Sequence, residues 1–378
     1  MKTFVKLASL ALVVLMSVAC LVACGGNKEN AYFIGCTGPL TGDAASYGIS
    51  VQKGAQLAVK QINANGGLNG VSFKFDMKDD QADAAAAQTG YNALYDAGMQ
   101  ISLGSVTSGS CKAFAAKAQQ DNLLFMTPSA SEAAILEDYA GGTTAFRVCF
   151  GDPDQGVLAA DEIKEKGYTK IGAIYDTSSS YSVGIYEAFK AEMNKLGLSY
   201  IETTFDQENN KDFSTQVEAM KDCEIIFMPF YYTEASLIAK TAANKGCNAI
   251  LFGCDGFDGI AAMFTAEDNI PNEIKYITPF DAASTDATVK AFVDAFKAEY
   301  NETPDQFAAD GYDAVMALYE AMKAAGINDV NISASDLADA VRAVLVGGSF
   351  SFKGATGTMS WDNTGACKKS AQIVVLEK

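Results

Sequence analysis

The sequence predicts an α/β fold made of two doubly wound parallel-sheet lobes, and three observations carry that prediction. At 378 residues the chain is too long for one ordinary core, while 49% hydrophobic and 20% charged residues is normal globular composition. Short apolar, strand-like runs alternate with longer runs of helical period, the pattern of parallel sheets covered by helices on both faces. The alternation stops at Phe146-Arg147-Val148-Cys149 and starts afresh after Asp152-Pro153-Asp154-Gln155-Gly156, which marks a first crossover between lobes.

Taken in order, the N-terminus is a targeting segment. Lys2 and Lys6 precede an apolar run at residues 7–18, too short to span a bilayer as a stable anchor. The run ends in Leu21-Val22-Ala23-Cys24-Gly25-Gly26, which resembles the lipobox of bacterial lipoproteins and fits it better than Ser17-Val18-Ala19-Cys20 does. That resemblance implies a signal peptide at 1–23, a lipid on Cys24, and an extracytoplasmic, membrane-anchored protein. A short linker at 24–30 follows. Removing 1–23 takes away Lys2 and Lys6 and no acid, so the formal charge moves from −18 to −20.

Tyr32-Phe33-Ile34-Gly35-Cys36 reads as a first buried strand, running into the turn-rich Thr37-Gly38-Pro39-Leu40-Thr41-Gly42. Tyr47 comes next. Val51, Ala55, Ala58, Val59 and Ile62 then keep helical spacing until Asn65-Gly66-Gly67 stops the helix. Residues 71–78 alternate as a strand ending at Asp79-Asp80; no third ligand is spaced for a metal, so these two acids read as a polar loop cluster. An alanine-rich helix at 82–97 leads to the strand Gln100-Ile101-Ser102-Leu103.

Two strand ends then deliver hydroxyl groups to one region. Leu103-Gly104-Ser105-Val106-Thr107-Ser108-Gly109-Ser110 opens onto a helix-like run at 111–120, so hydroxyls and free N–H groups gather at a helix N-terminus, which attracts anions. The apolar strand Leu123-Leu124-Phe125-Met126 ends in Thr127-Pro128-Ser129-Ala130-Ser131. Either loop alone reads more readily as turn and cap residues. Two consecutive strand ends with the same chemistry within thirty residues, where open α/β sheets bind ligands, favour a cradle for a small carboxylate.

The second series has a strand at 170–175, a helix at 185–196, a strand at 199–205, a helix at 213–220, a strand at 224–229, a helix at 234–244 and a strand at 249–253. Tyr181, Tyr231, Tyr232, Asp255 and Phe257 fall at its strand ends. After Tyr276-Ile277-Thr278-Pro279 come helices at 288–300, 312–325 and 335–345, then a β-rich tail with a turn at Trp361-Asp362-Asn363-Thr364-Gly365 and a strand at 372–376. No internal repeat is visible.

Charge and composition exclude several functions. A formal charge of −18, with pI near 4.4, argues against nucleic acid as partner, because phosphate binding needs clustered Lys and Arg. The chain has no histidine, which removes the commonest general base, the Ser-His and Cys-His nucleophile pairs and the commonest metal ligand. Beyond Cys20 and Cys24 there remain Cys36, Cys111, Cys149, Cys223, Cys247, Cys254 and Cys367, an odd number without C-x-x-C spacing. Most read as small buried residues in a reducing or anaerobic habitat, with one or two disulfides left open. No cofactor or metal is called for.

Gly38-Pro39-Leu40-Thr41-Gly42 with Tyr47-Gly48, Ile62-Asn63-Ala64-Asn65-Gly66-Gly67-Leu68-Asn69-Gly70, Asp79-Asp80, residues 104–110, Thr127-Pro128-Ser129-Ala130-Ser131 and Lys211-Asp212-Phe213-Ser214 stand in an order that resembles the leucine/isoleucine/valine-type substrate-binding proteins of ABC importers. The resemblance covers essentially the whole mature chain. It implies the type I periplasmic-binding fold, with three crossovers near 149, 279 and 370. Lobe 1 is then 31–148 with 280–369, and lobe 2 is 149–279 with 370–378. It further implies an amino acid, branched-chain or otherwise apolar, clamped between the lobes. Ser108 and its N–H, with Thr107, match positions for the α-carboxylate, helped by Ser131. The Ser129 carbonyl and Ser131 hydroxyl match acceptors for the ammonium. Tyr181 and Tyr231 match ring positions of lobe 2, and Tyr47 and Phe307 match the side-chain pocket. Asp255 falls where the family commonly has a Glu meeting the ammonium, a shortening by one methylene. Taken singly, any of these tyrosines reads as core packing, and Asp255 as a turn residue.

Two function classes follow. One is a monomeric solute receptor that delivers an amino acid to the membrane subunits of an ABC permease. The other is an anchored sensory protein for an amino acid or related small carboxylate, since one fold serves both. An enzyme is a distant third.

Overall fold

The structure, a computed structural model, describes residues 30–136 and 143–376, so the signal segment and Cys24 lie outside the described residues. Among the described residues, those from 32 onward group by their contacts into one unit.

The first lobe opens with β1 (Ala31–Gly38), a strand buried from residue 32 onward and apolar for that reason. Then come α1 (Ala45–Ala64), β2 (Ser72–Asp79), α2 (Ala84–Asp96), β3 (Ile101–Ser102), α3 (Ser108–Gln120), β4 (Phe125–Thr127) and β5 (Ala145–Arg147). They form one sheet in the order β2-β1-β3-β4-β5, parallel at β1–β3, β3–β4 and β4–β5. The order reverses between β1 and β3. The loops after these two strands therefore diverge and leave a crevice at their carboxyl ends.

The second lobe contains α4 (Asp152–Lys166), β6 (Ile171–Asp176), α5 (Ser180–Lys195), β7 (Ile201–Phe205), α6 (Ser214–Ala219), β8 (Ile225–Met228), α7 (Tyr232–Lys245), β9 (Ile250–Gly253) and β10 (Ile274–Thr278). A 3₁₀ turn, Asp255–Phe257, follows β9. The chain returns to the first lobe with α8 (Ala287–Tyr300), α9 (Gln306–Ala324), α10 (Ala334–Leu345) and a small sheet of β11 (Phe352–Gly354), β12 (Gly357–Trp361) and β13 (Cys367–Lys368). It ends with β14 (Gln372–Val375), an edge strand of the second lobe. That sheet has the order β14-β10-β9-β8-β6-β7 and is parallel except at β14. The chain thus passes between the sheets three times.

α9 packs on α1 at backbone distance. A Cβ on Gly54 would sit 1.9 Å from the Ala308 carbonyl oxygen, and one on Gly311 would sit 2.6 Å from that of Val51. Glycine is required at both. This contact brings the N-terminal ends of α1 and α9 together at the crevice.

Several boundaries differ from the sequence-based expectation for local reasons. α9 starts six residues earlier than 312, at Gln306, because Asp305 caps it with Oδ1 accepting from Ala308 N–H at 2.8 Å. α3 starts at Ser108 rather than 111, so Ser108 belongs to the helix. α7 starts at Tyr232 rather than 234, which makes Tyr231 its N-cap. All seven cysteines of the described residues are free, and all but Cys223 are buried.

Candidate functional site

On the first lobe, the loop after β3 turns at Gly104. This residue has φ +65°, and a Cβ there would sit 2.6 Å from the Phe125 ring. Three hydroxyls tie the loops beneath the crevice: Ser105 Oγ donates to Asp80 Oδ2 at 2.6 Å, Thr127 Oγ1 to the Ser105 carbonyl at 2.8 Å and Ser129 Oγ to the Val106 carbonyl at 2.7 Å. Thr107 is the N-cap of α3, yet its hydroxyl makes no cap bond and is buried without a partner. A helix N-terminus with an unspent hydroxyl therefore faces the crevice, and both features favour an anion.

On the second lobe, Asp255 opens the 3₁₀ turn after β9. Its Oδ1 accepts from the Tyr181 hydroxyl and, at 3.0 Å, from Gln155 Nε2; its own N–H donates to Gln155 Oε1 at 2.9 Å. Burial pushes its carboxyl up to about 6, against the pull of the Tyr181 and Gln155 hydrogen bonds. Gly256 N–H donates to the Tyr181 hydroxyl at 3.0 Å, and a Cβ on Gly256 would meet that hydroxyl at 2.8 Å and the Tyr231 ring at 3.0 Å. Tyr181 and Tyr231 stack, with ring centroids 5.0 Å apart. Burial drives the Tyr231 phenol well above its usual range, Asp255 and Asp152 adding to the effect and the Ser108 N–H opposing it. The Tyr231 hydroxyl therefore lies between the acids of one lobe and the α3 N-terminus of the other.

The two faces are pinned together. Tyr47 of α1 donates its hydroxyl to the Gly256 carbonyl and accepts from Tyr232 N–H at 3.2 Å. Gln306 Nε2 donates to the Asp255 carbonyl at 2.9 Å. The Tyr47 ring packs on Phe307 at 4.3 Å and edge-on to Tyr231 at 5.3 Å. Between these groups lies a cavity with only ≈ 10 Å³ of room for a water centre. Ligand pockets usually offer about 300 Å³ or more. Admitting an organic molecule thus requires the lobes to part or Tyr231 to swing.

Thr107, Ser108, Ser129, Tyr47 and Phe307 line this cavity from the first lobe, and Tyr181, Tyr231 and Asp255 from the second. Ser131 does not line it. Its carbonyl accepts from Asp152 N–H at 3.0 Å and from Arg147 Nη1, which turns the residue toward the crossover, and its hydroxyl is buried without a partner. Sequence reasoning missed Val106 and Gly256 in the lining. It also missed Gln155, Gln306 and Asp152 behind it. The last is 1% exposed with neither carboxylate oxygen hydrogen-bonded, and burial pushes its carboxyl well up. Gln155 and Asp152 stand in the first turn of the helix after the first crossover, a polar cluster visible in the sequence but without a phase to aim it.

The family described as periplasmic binding protein matches residues 31–377. The Leu/Ile/Val-binding protein BraC3 of Rhizobium johnstonii is 28% identical, over 88% of each chain. A branched-chain amino acid transporter substrate binding protein, LivJ of Streptococcus pneumoniae, solved in complex with isoleucine, is 30% identical; it superposes with a TM-score of 0.79 over 91% of this chain and 95% of its own. The leucine binding protein LivK of Thermotoga maritima is 25% identical, with a TM-score of 0.80 over 92% and 96%.

Proposed function

This chain belongs to the periplasmic binding protein family, and from that premise we propose that it captures an amino acid, branched-chain or otherwise apolar, between its lobes and delivers it to an ABC permease. The observation that carries the reading is the polarity of the cavity: the α3 N-terminus with Ser108 and Thr107 on one wall, the Asp255 carboxylate on the other. A zwitterion needs both, because a buried unpaired charge costs several kcal/mol.

The ligand carboxylate would take the Ser108 N–H and the free Thr107 hydroxyl, displacing the Tyr231 hydroxyl. The ammonium would meet Asp255 and the Ser129 carbonyl and restore the acid to its charged form. Tyr47, Phe307 and Val106 would hold the apolar side chain. The lobes, 31–148 with 280–369 and 149–279 with 370–378, would part to admit the ligand and close on it through Tyr47 and Gln306. Ser131 would support the site through its carbonyl rather than its hydroxyl. The family is periplasmic, and among the described residues no helix is long and apolar enough to cross a membrane. We propose further that a lipid on Cys24 holds a monomer at the outer face of the membrane.

A thermal-shift screen of the protein without residues 1–23 against the twenty amino acids and their deaminated acids tests the ligand class, since ligand raises stability as RT ln(1 + [L]/Kd). Stabilisation by leucine, isoleucine or valine supports it; no shift with any amino acid overturns it. Mass spectrometry should find the mature N-terminus lipidated at Cys24, and an unmodified N-terminus elsewhere overturns the anchor.

A further inference from the structure

The second lobe's turn from Asp255 to Asp258 is gripped by the first lobe along its length. Gln306 Nε2 holds the Asp255 carbonyl at 2.9 Å and Tyr47 holds the Gly256 carbonyl. The Gln306 backbone N–H, the first of α9, donates to Asp258 Oδ2 at 2.8 Å. The Asp258 carboxylate is therefore seated across the cleft on a helix N-terminus, which carries partial positive charge. That end already has an acid. Asp305, its N-cap, accepts from Ala308 N–H at 2.8 Å and from Ser50 Oγ at 2.6 Å. Two carboxylates from opposite lobes thus share one helix end. The other charged or titratable groups around them are few. Tyr276 hydroxyl donates to Asp258 Oδ1 at 3.4 Å, with Asp281 behind it. Lys53 acts on Asp305 but is itself paired with Glu302.

We infer that Asp258 is a positioning residue that makes closure of the lobes depend on a proton: it docks on α9 only in the shut arrangement, where burial and the nearby Asp305 carboxylate favour its protonated form. The inference rests on the reading of the cleft as a closing amino-acid site. Burial and then Asp305 push Asp258 up to about 7, and Asp305 is raised as well. In parted lobes Asp258 loses both neighbours and regains an ordinary carboxylate value, so closing takes up a proton. A group whose value is higher in the closed form favours closure at low pH, and that preference is lost as pH rises through the closed-form value. Between pH 8 and pH 6 the closing equilibrium should shift about tenfold. The ligand ammonium stays protonated throughout this window and, once bound, favours the charged form of Asp255 facing it.

The test is calorimetry with leucine at pH 6 and pH 8 on the parent, Asp258→Asn and Asp258→Ala, with small-angle scattering of each protein without ligand at both pH values. The parent should bind leucine about tenfold more tightly at pH 6. Asp258→Asn keeps an acceptor for Gln306 N–H and carries no charge beside Asp305; the roughly tenfold step should shrink clearly in this variant, and its affinity at pH 8 should approach the parent's pH 6 value. Asp258→Ala, lacking the acceptor, should bind more weakly at both. A pH-independent parent, or an Asp258→Asn protein that keeps the parent's slope, overturns the inference. If no amino acid binds the parent, the binding reading falls by itself, and scattering decides the latch. Compaction of the parent from pH 8 to pH 6 that Asp258→Asn lacks sustains it, and a parent of unchanged radius of gyration overturns it.

Discussion

Asp255→Asn isolates the charge that the proposed site turns toward the ligand ammonium. The asparagine Oδ1 can accept the same two donors, the Tyr181 hydroxyl and Gln155 Nε2, and the Gln155 bond to the backbone N–H is untouched. The turn should therefore fold as before, and melting of the unliganded protein should be unchanged or slightly higher, since a buried charge is gone. What is lost is the bond to the ammonium. With Oδ1 held by Tyr181 and Gln155, the asparagine turns an amide donor toward the ammonium and the whole bond goes; bonds to charged groups contribute about 1.5–3 kcal/mol, so leucine should bind roughly ten- to a hundredfold more weakly. The deaminated acid, 4-methylpentanoate, brings a second carboxylate and no cation, so the same variant should bind it as well as the parent does or better. The pH dependence has a definite sign. With Asp255 pushed up to about 6 in the shut unliganded site, leucine must displace a proton below that pH and weakens, whereas 4-methylpentanoate gains. Calorimetry on both proteins with both ligands at pH 7.5 and pH 5 is the assay. Equal leucine affinity in parent and variant at pH 7.5 would refute the assignment of the ammonium to Asp255.

Tyr47→Phe removes the hydroxyl that bridges the Gly256 carbonyl and Tyr232 N–H; leucine affinity should fall about tenfold, and an unchanged Kd in calorimetry would show that the bridge does not hold the lobes shut. Gly256→Ala drives a methyl to 2.8 Å from the Tyr181 hydroxyl and 3.0 Å from the Tyr231 ring, so the ligand-induced rise in melting temperature should be lost while the unliganded protein stays folded; a rise as large as the parent's would count against that packing. Lys369 is buried with its Nζ on Thr356 Oγ1 at 2.6 Å and Asp310 at 3.4 Å. Lys369→Met strands Asp310, which burial already lifts to about 7. An acid raised in the folded state weighs on stability as pH rises through that value, so the loss should approach about 3–5 kcal/mol at pH 8 and be much smaller at pH 5; denaturant melts giving the same loss at both would contradict it.

The architecture was legible because its signals are local and repeated. β1 is apolar from Tyr32 to Cys36 because it is buried on both faces, and strands alternating with helices leave a parallel sheet as the solution. The restart after Cys149 marked the passage to the second sheet because the chain there changes partners, not merely direction. Helix starts were less legible. α9 begins at a cap, Asp305, that precedes an aromatic and two alanines rather than a conventional apolar stripe. The pattern becomes regular only after Asp310 and Asp313, acids buried against Lys369 and Thr356. Those two acids break the apolar periodicity that would otherwise have announced the helix.

The site divides in the same way, and the division has a physical origin. Side chains at strand ends, Ser108 and Thr107 on one sheet and Asp255 on the other, could be placed from sequence because a parallel sheet presents all its carboxyl ends on one edge. Ser131 could not, because its role depends on what occupies its carbonyl: with Arg147 Nη1 and Asp152 N–H both directed there, the residue is turned from the crevice. Gln155 and Gln306 were invisible for a stronger reason. Each acts on Asp255 from another segment, one through the carboxylate and N–H and the other through the carbonyl, and only the Gln306 contact crosses between the sheets. A sequence carries the chemistry of each wall, but the bonds between walls, Tyr47 to Gly256 and Gln306 to Asp255, join segments far apart along the chain. Asp255, Asp152 and Asp258 are three acids gathered at that junction, and burial raises all of them. Closing therefore works against charge unless something positive arrives. An ammonium group can answer Asp255, and a proton can answer Asp258. On the proposed closing motion, these acids would make shutting depend on positive charge, the ligand ammonium at Asp255 and a proton at Asp258.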